Sequence, residues 1–124
     1  MKRHIIIASH RKLAAGMADA LKFFEGDNLK ITVLSAYLDN QPVDDQIKEI
    51  MDKIPDEDEA IILTDLVSGS VNQKFFPYIS KPHTQLISGM NLSLAMAITM
   101  EPNDGYMKPE EIRQIVNEAQ NQIY

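Results

Sequence analysis

Four short runs of Ile, Val, Leu and Ala punctuate the chain, and between them apolar residues recur three and four positions apart. The runs fall at about Arg3–Ala8, Lys30–Ser35, Ala60–Thr64 and Gln85–Ser88. Each is nearly continuous rather than alternating, the pattern of a parallel strand covered on both faces. After the first run, Leu13, Met17, Ala20, Leu21 and Phe24 keep helical spacing, and Gly26 stands where such a helix would stop. Val43, Ile47, Ile50, Met51 and Ile54 repeat that spacing as far as Pro55. A third helix is expected from near Ser70 through Phe75 and Ile79. A fourth, almost wholly apolar and therefore expected to be buried, follows Asn91. The last opens at Pro109, a favoured first-turn residue, with Glu110 and Glu111 at the positive end of its dipole. It turns Ile112, Ile115, Val116, Ala119 and Ile123 inward. Strands alternating with helices predict a doubly wound α/β domain built on right-handed crossovers.

Composition narrows the classes of function. At 124 residues the chain is long enough for one core and too short for two. The net charge is −6, and no Lys/Arg cluster interleaves with aromatics, so neither nucleic acid nor an anionic membrane is an expected partner. No apolar run approaches the roughly 20 residues needed to cross a bilayer, and no secretory cleavage site follows the N-terminus. With no cysteine, disulfides, thiolate metal sites and cysteine nucleophiles are excluded, which fits a cytoplasmic location. The seven methionines read as core filler. Asp56-Glu57-Asp58-Glu59 reads as a solvated loop ahead of the third strand.

The chemistry gathers where the strands end. In a parallel α/β sheet, ligands bind in the crevice at the carboxyl ends of the strands. The first strand delivers Ser9-His10 there, the third Thr64-Asp65-Leu66-Val67-Ser68-Gly69-Ser70, and the fourth Gly89-Met90-Asn91. If the first and third strands are neighbours, His10 and Asp65 face each other. A carboxylate can then hold one ring nitrogen as N–H and leave the other lone pair free to attack. Ser68-Gly69-Ser70 leads into a helix, so its amides and hydroxyls suit an anion, and Arg11 and Lys12 stand close to His10. Positioned donors around a nucleophile are what phosphoryl transfer requires. The other two histidines are set apart: His4 lies inside the first strand, and His83 lies in the Lys81-Pro82-His83 turn away from the crevice.

The segments I-I-I-A-S-H-R-K-L-A-A-G-M, I-I-L-T-D-L-V-S-G-S and L-I-S-G-M-N-L follow in order over essentially the whole chain. They resemble the enzyme IIA domain of the mannose-type sugar phosphotransferase system. The resemblance implies a phosphocarrier that takes a phosphoryl group from the histidine-containing carrier protein (HPr) on His10 and passes it to a IIB domain. Phosphohistidine would form through Nε2 with Asp65 bonded to Nδ1, and Ser68, Gly69 and Ser70 would cradle the phosphoryl oxygens. It also implies a homodimer serving a membrane permease without being embedded, with no cofactor and no metal. The family's usual turn reads Asp-x-x-Gly-Gly-Ser/Thr-Pro; here Ser68 replaces the first glycine and Val71 the proline. Ser93 stands where a proline is common after Asn91, and no antiparallel edge strand is evident after the last helix.

Other readings remain open on the residues alone. The phosphotransfer subunit of a dihydroxyacetone kinase shares the fold and the histidine. Small chelatases also end their first strand in a histidine but need further ligands facing it, for which Asp65 is the one candidate. A receiver domain needs an acidic pair after the first strand, and nucleotide enzymes need a glycine-rich phosphate loop there; neither is present. A signalling module that has kept the fold and lost the chemistry is the non-enzymatic alternative. The combined expectation is one α/β domain over residues 1–124, with four parallel strands in the order 2-1-3-4 and helices on both faces.

Overall fold

Successive side chains of a strand point to opposite faces, so a continuous apolar run serves two cores at once. The computed structural model describes residues 1–123. Its centre is a parallel sheet in the order β2-β1-β3-β4, formed by β1 (Arg3–His10), β2 (Thr32–Ala36), β3 (Glu59–Thr64) and β4 (Thr84–Ile87). Ile5 and Ile7 of β1 join Ile61 and Leu63 of β3 in one core, closed by α1 (Leu13–Glu25), α4 (Leu92–Thr99) and α5 (Pro109–Gln120). Ile6 and Ala8 join Ala60 and Ile62 in the other, closed by α2 (Val43–Asp52) and α3 (Ser70–Phe75). The division follows from topology. The chain steps one way from β1 to β2 and back across β1 to β3, so right-handed crossovers send α1 and α2 to opposite faces.

The expected class and strand order are those of the structure, and the departures are local. On α1 the buried residues are Ala14, Ala18 and Leu21, while Leu13 and Phe24 are exposed. Two alanines seat the helix close to the sheet and turn the larger flanking residues outward. The third helix stops at Phe75 and continues as a 3-10 turn over Phe76–Ser80, leaving Ile79 exposed. Pro77 causes the change, because it lacks an N–H and its ring collides with the carbonyl four residues back. Helix α4 is only partly buried. Leu94, Ala95 and Ile98 are inside, Met96 and Ala97 are half-buried, and Met100 just past its end is exposed. Ile123 lies beyond the end of α5 and is also exposed. Among the methionines Met51, Met90 and Met107 fill the cores.

The acidic run is not a solvated loop throughout. Strand β3 begins one residue before its apolar stretch, so Glu59 is buried and stands in register with Arg3 on β1. The two side chains form an ion pair. Arg3 also donates to the carbonyls of Glu101, Pro102 and Gly105, and Glu59 accepts the Met107 amide. Asp58 binds His4 Nε2 at 3.0 Å and the Lys2 amide at 3.0 Å. These bonds from His4 and Lys2 hold its carboxyl below the usual range. His83 stacks on Tyr106 with centroids 3.5 Å apart, near the amino-terminal end of β4. Among the described residues no helix is long and apolar enough to cross a membrane.

Candidate functional site at the carboxyl ends of β1 and β3

Strand β1 outlasts its apolar part by two residues, and alternation sends those two to different faces. Ser9 turns towards α1, where its fully buried hydroxyl oxygen accepts the Ala14 amide at 2.6 Å. His10 turns towards α2 and α3. Its amide donates to Asp65 Oδ2 at 2.8 Å, and its Nδ1 lies 2.7 Å from the same oxygen. On the far side of the ring, Nε2 lies 3.1 Å from Ser70 Oγ. Three of the residues singled out in the sequence therefore meet, because Asp65 directly follows the strand paired with β1 and Ser70 opens the next helix.

Burial and hydrogen bonding decide the protonation. The Asp65 side chain is 8% exposed and that of His10 36%. Burial opposes ionisation of Asp65, but bonds from the His10 amide, the His10 ring and the Leu66 amide outweigh it, holding the carboxyl below its ordinary range. An ionised carboxylate only accepts, so Nδ1 carries the ring proton. Nε2 then holds the free lone pair, and the Ser70 hydroxyl donates to it. The arrangement is a nucleophilic nitrogen aimed out of the crevice, with its tautomer set from behind.

The turn between β3 and α3 is organised by Asn72. Its side chain donates to Thr64 Oγ1 at 2.9 Å and accepts the Ser68 amide at 3.3 Å. The Gly69 amide donates to the Leu66 carbonyl at 3.1 Å. Among the described residues the Ser70 and Val71 amides, in the first turn of α3, have no protein acceptor. Ser68 has φ 59°, a left-handed conformation that glycine adopts without strain, which accounts for the glycine usual in this turn. Gly69 is closely surrounded. A Cβ there would stand 3.1 Å from Leu66 Cβ and 3.4 Å from His10 Cε1. Val71 is fully buried in the α2/α3 core.

Not every strand-end residue joins the site. Asn91 caps α4, its Oδ1 accepting the Leu94 amide at 2.8 Å. The Arg11 guanidinium donates to the Tyr37 carbonyl at 2.6 Å rather than standing free. Tyr37 itself was not singled out in the sequence, yet its hydroxyl lies 2.7 Å from Ser70 Oγ and its ring 5.5 Å from that of His10. The signal was positional: Tyr37 is the first residue past β2, and β2 borders β1, so it falls in the same crevice. No three His, Asp or Glu side chains are grouped as metal ligands among the described residues.

Residues 4–120 match the family described as the fructose IIA component of the phosphotransferase system. A protein of Klebsiella pneumoniae, described as a phosphoenolpyruvate-dependent sugar phosphotransferase system permease, is similar in structure with TM-score 0.88 and 32% identity, covering 100% of this chain and 90% of that one. The mannose/sorbose-specific IIA subunit of Enterococcus faecalis shares the fold with TM-score 0.84 at 16% identity, over 100% of this chain and 94% of its own. A IIA protein associated with the fucose utilization operon of Streptococcus pneumoniae gives 0.80 at 24%, over 100% and 93%. No curated protein matches the sequence.

Proposed function

The chain belongs to the fructose/mannose IIA family of the sugar phosphotransferase system, and from that membership we propose that it carries a phosphoryl group on His10 Nε2, received from HPr and passed to a IIB domain. The observation that carries the proposal is the chain of contacts from Asp65 through His10 to Ser70, 2.7 Å on one side of the ring and 3.1 Å on the other. In the forward step the Nε2 lone pair attacks phosphorus. The bond from phosphorus to the donor's ring nitrogen breaks, and its electron pair stays on the donor. The His10 ring gains positive charge while keeping its Nδ1 proton, and the Asp65 carboxylate offsets that charge at hydrogen-bond distance. For the attack Ser70 turns its hydroxyl from Nε2 to a phosphoryl oxygen, which frees the ring lone pair, and the Ser70 and Val71 amides supply further donors. Ser68 and Gly69 shape the turn that aims them.

His10 stands at the rim of the crevice, partly in solvent, as exchange between two protein surfaces requires. The proposed setting is the cytoplasmic side of a permease. A homodimer belongs to the same reading. The test is intact-mass measurement after incubation with phosphoenolpyruvate, enzyme I and HPr. The expected result is one acid-labile phosphoryl group on the wild-type chain, none on a folded His10→Ala variant, and loss of the group when a cognate IIB domain is added. An unmodified wild-type chain with active donors would overturn the proposal.

A further inference from the structure

Tyr37 is placed at a cost that the core does not explain. Its φ of 67° is left-handed, a strained conformation for an aromatic residue. Its side chain is exposed, so neither apolar burial nor the need to satisfy a buried hydroxyl accounts for its position. Its neighbour in the crevice, Arg11, is also left-handed at φ 57°. Arg11 braces the segment: its amide donates to the Ala36 carbonyl at 2.8 Å, and its guanidinium donates to the Tyr37 carbonyl. Strain braced in this way, beside a candidate nucleophile, marks a side chain held for a purpose.

Counting protons shows what the hydroxyl does. Ser70 has one proton, and it is committed to Nε2, because the ionised Asp65 keeps the other ring nitrogen as N–H. Ser70 Oγ must therefore accept from Tyr37, whose O–H is the first donor in the series Tyr37 to Ser70 to His10. We propose that Tyr37 is a positioning residue for phosphoryl transfer, acting through Ser70. It holds the serine in the rotamer that serves Nε2 in the resting protein and a phosphoryl oxygen once Nε2 is occupied. Without it, the serine side chain has other staggered positions open to it, and they carry Oγ away from the ring. The proposal rests on the phosphocarrier reading of His10.

The test uses the whole chain with Tyr37→Phe, Ser70→Ala and the double variant. The resting protein, labelled with 15N-histidine, reports the hydrogen bond at His10 Nε2 whether or not transfer occurs. In Tyr37→Phe the Nε2 resonance should move towards that of an unbonded pyridine-type nitrogen. In the Ser70→Ala background the same substitution should move it no further. Transfer from phosphorylated HPr should slow about fivefold in Tyr37→Phe, the effect of one lost hydrogen bond, and should not slow further when the change is added to Ser70→Ala. An unmoved Nε2 resonance in Tyr37→Phe, or a change of equal size with and without Ser70, would overturn the assignment. If the wild-type chain takes no phosphoryl group, the phosphocarrier reading fails, and the resonances still decide the hydrogen-bond series.

Discussion

At the scale of the residue, Asp65 is both a structural acceptor and the group that fixes the His10 tautomer. It gathers the His10 amide, the His10 ring and the Leu66 amide on one carboxylate, and these bonds depress its titration against the opposing effect of burial. A carboxyl whose folded value is lowered adds stability that is fully present above its unfolded value, near pH 4, and lost as pH falls through the lowered value. Asp65→Asn should therefore be less stable than wild type at neutral pH by about 1–2 kcal/mol, in line with hydrogen bonds to a charged group. The gap should begin to narrow below about pH 4 and close only as pH falls through the lowered value, where the folded wild-type carboxyl also becomes neutral. Urea titrations at several pH values measure it, and a gap that stays constant down to acid pH would show that the charge of Asp65 is not what stabilises the turn. The same variant should transfer phosphoryl groups more slowly at neutral pH, since an amide can donate to Nδ1 as well as accept from it and no longer holds the ring proton there. Much of this was legible in the sequence, because a histidine and an aspartate ending two buried strands can meet only if those strands pair. Tyr37 was not legible. A left-handed aromatic has no signature of its own, and its conformation depends on Arg11 bracing it from the turn after β1.

At the scale of the element, the β3–α3 turn holds its shape through one buried amide. Asn72 spans the Thr64 hydroxyl at the strand end and the Ser68 amide in the turn, so it couples strand, turn and helix. Asn72→Ala leaves Thr64 and Ser68 short of a partner and should cost about 1–3 kcal/mol. Transfer should slow as well, because Ser70 and Gly69 hang on the same turn. Thermal unfolding together with the phosphorylation rate tests this, and an unchanged rate would mean that α3 holds Ser70 without the turn. Helix spacing predicted where the elements lie but not always which side they bury. On α1 two overlapping stripes were available, and close approach to the sheet chose the one with Ala14 and Ala18. Beyond Phe75 local chemistry overrode spacing, since Pro77 cannot continue the α-helical hydrogen bonds.

At the scale of the whole molecule, the sheet separates a reactive end from a structural one. The carboxyl ends of the strands hold His10, Asp65 and the turn, while the amino ends hold Arg3, Glu59 and the stacked His83 and Tyr106. The Arg3–Glu59 pair ties the segment between α4 and α5 to the bottom of the sheet. Glu59→Ala leaves a buried guanidinium without its counter-charge and should cost about 3–5 kcal/mol in urea unfolding. Phosphorylation of the folded fraction should be unchanged, and a slowed transfer there would contradict the separation of the two ends. The parallel sheet and its double-sided core were readable from four continuous apolar runs. The burial of Glu59 was not, because an acidic run looks solvated until the register of β3 on β1 sets one of its members opposite Arg3. The central claim is that phosphorus joins Nε2 of His10, and the direct measurement is phosphorus–nitrogen coupling in the phosphorylated, 15N-histidine-labelled chain. The account predicts coupling to Nε2 of His10 with the proton retained on Nδ1. Coupling to Nδ1, or phosphorus on His4, His83 or Ser70, would contradict it.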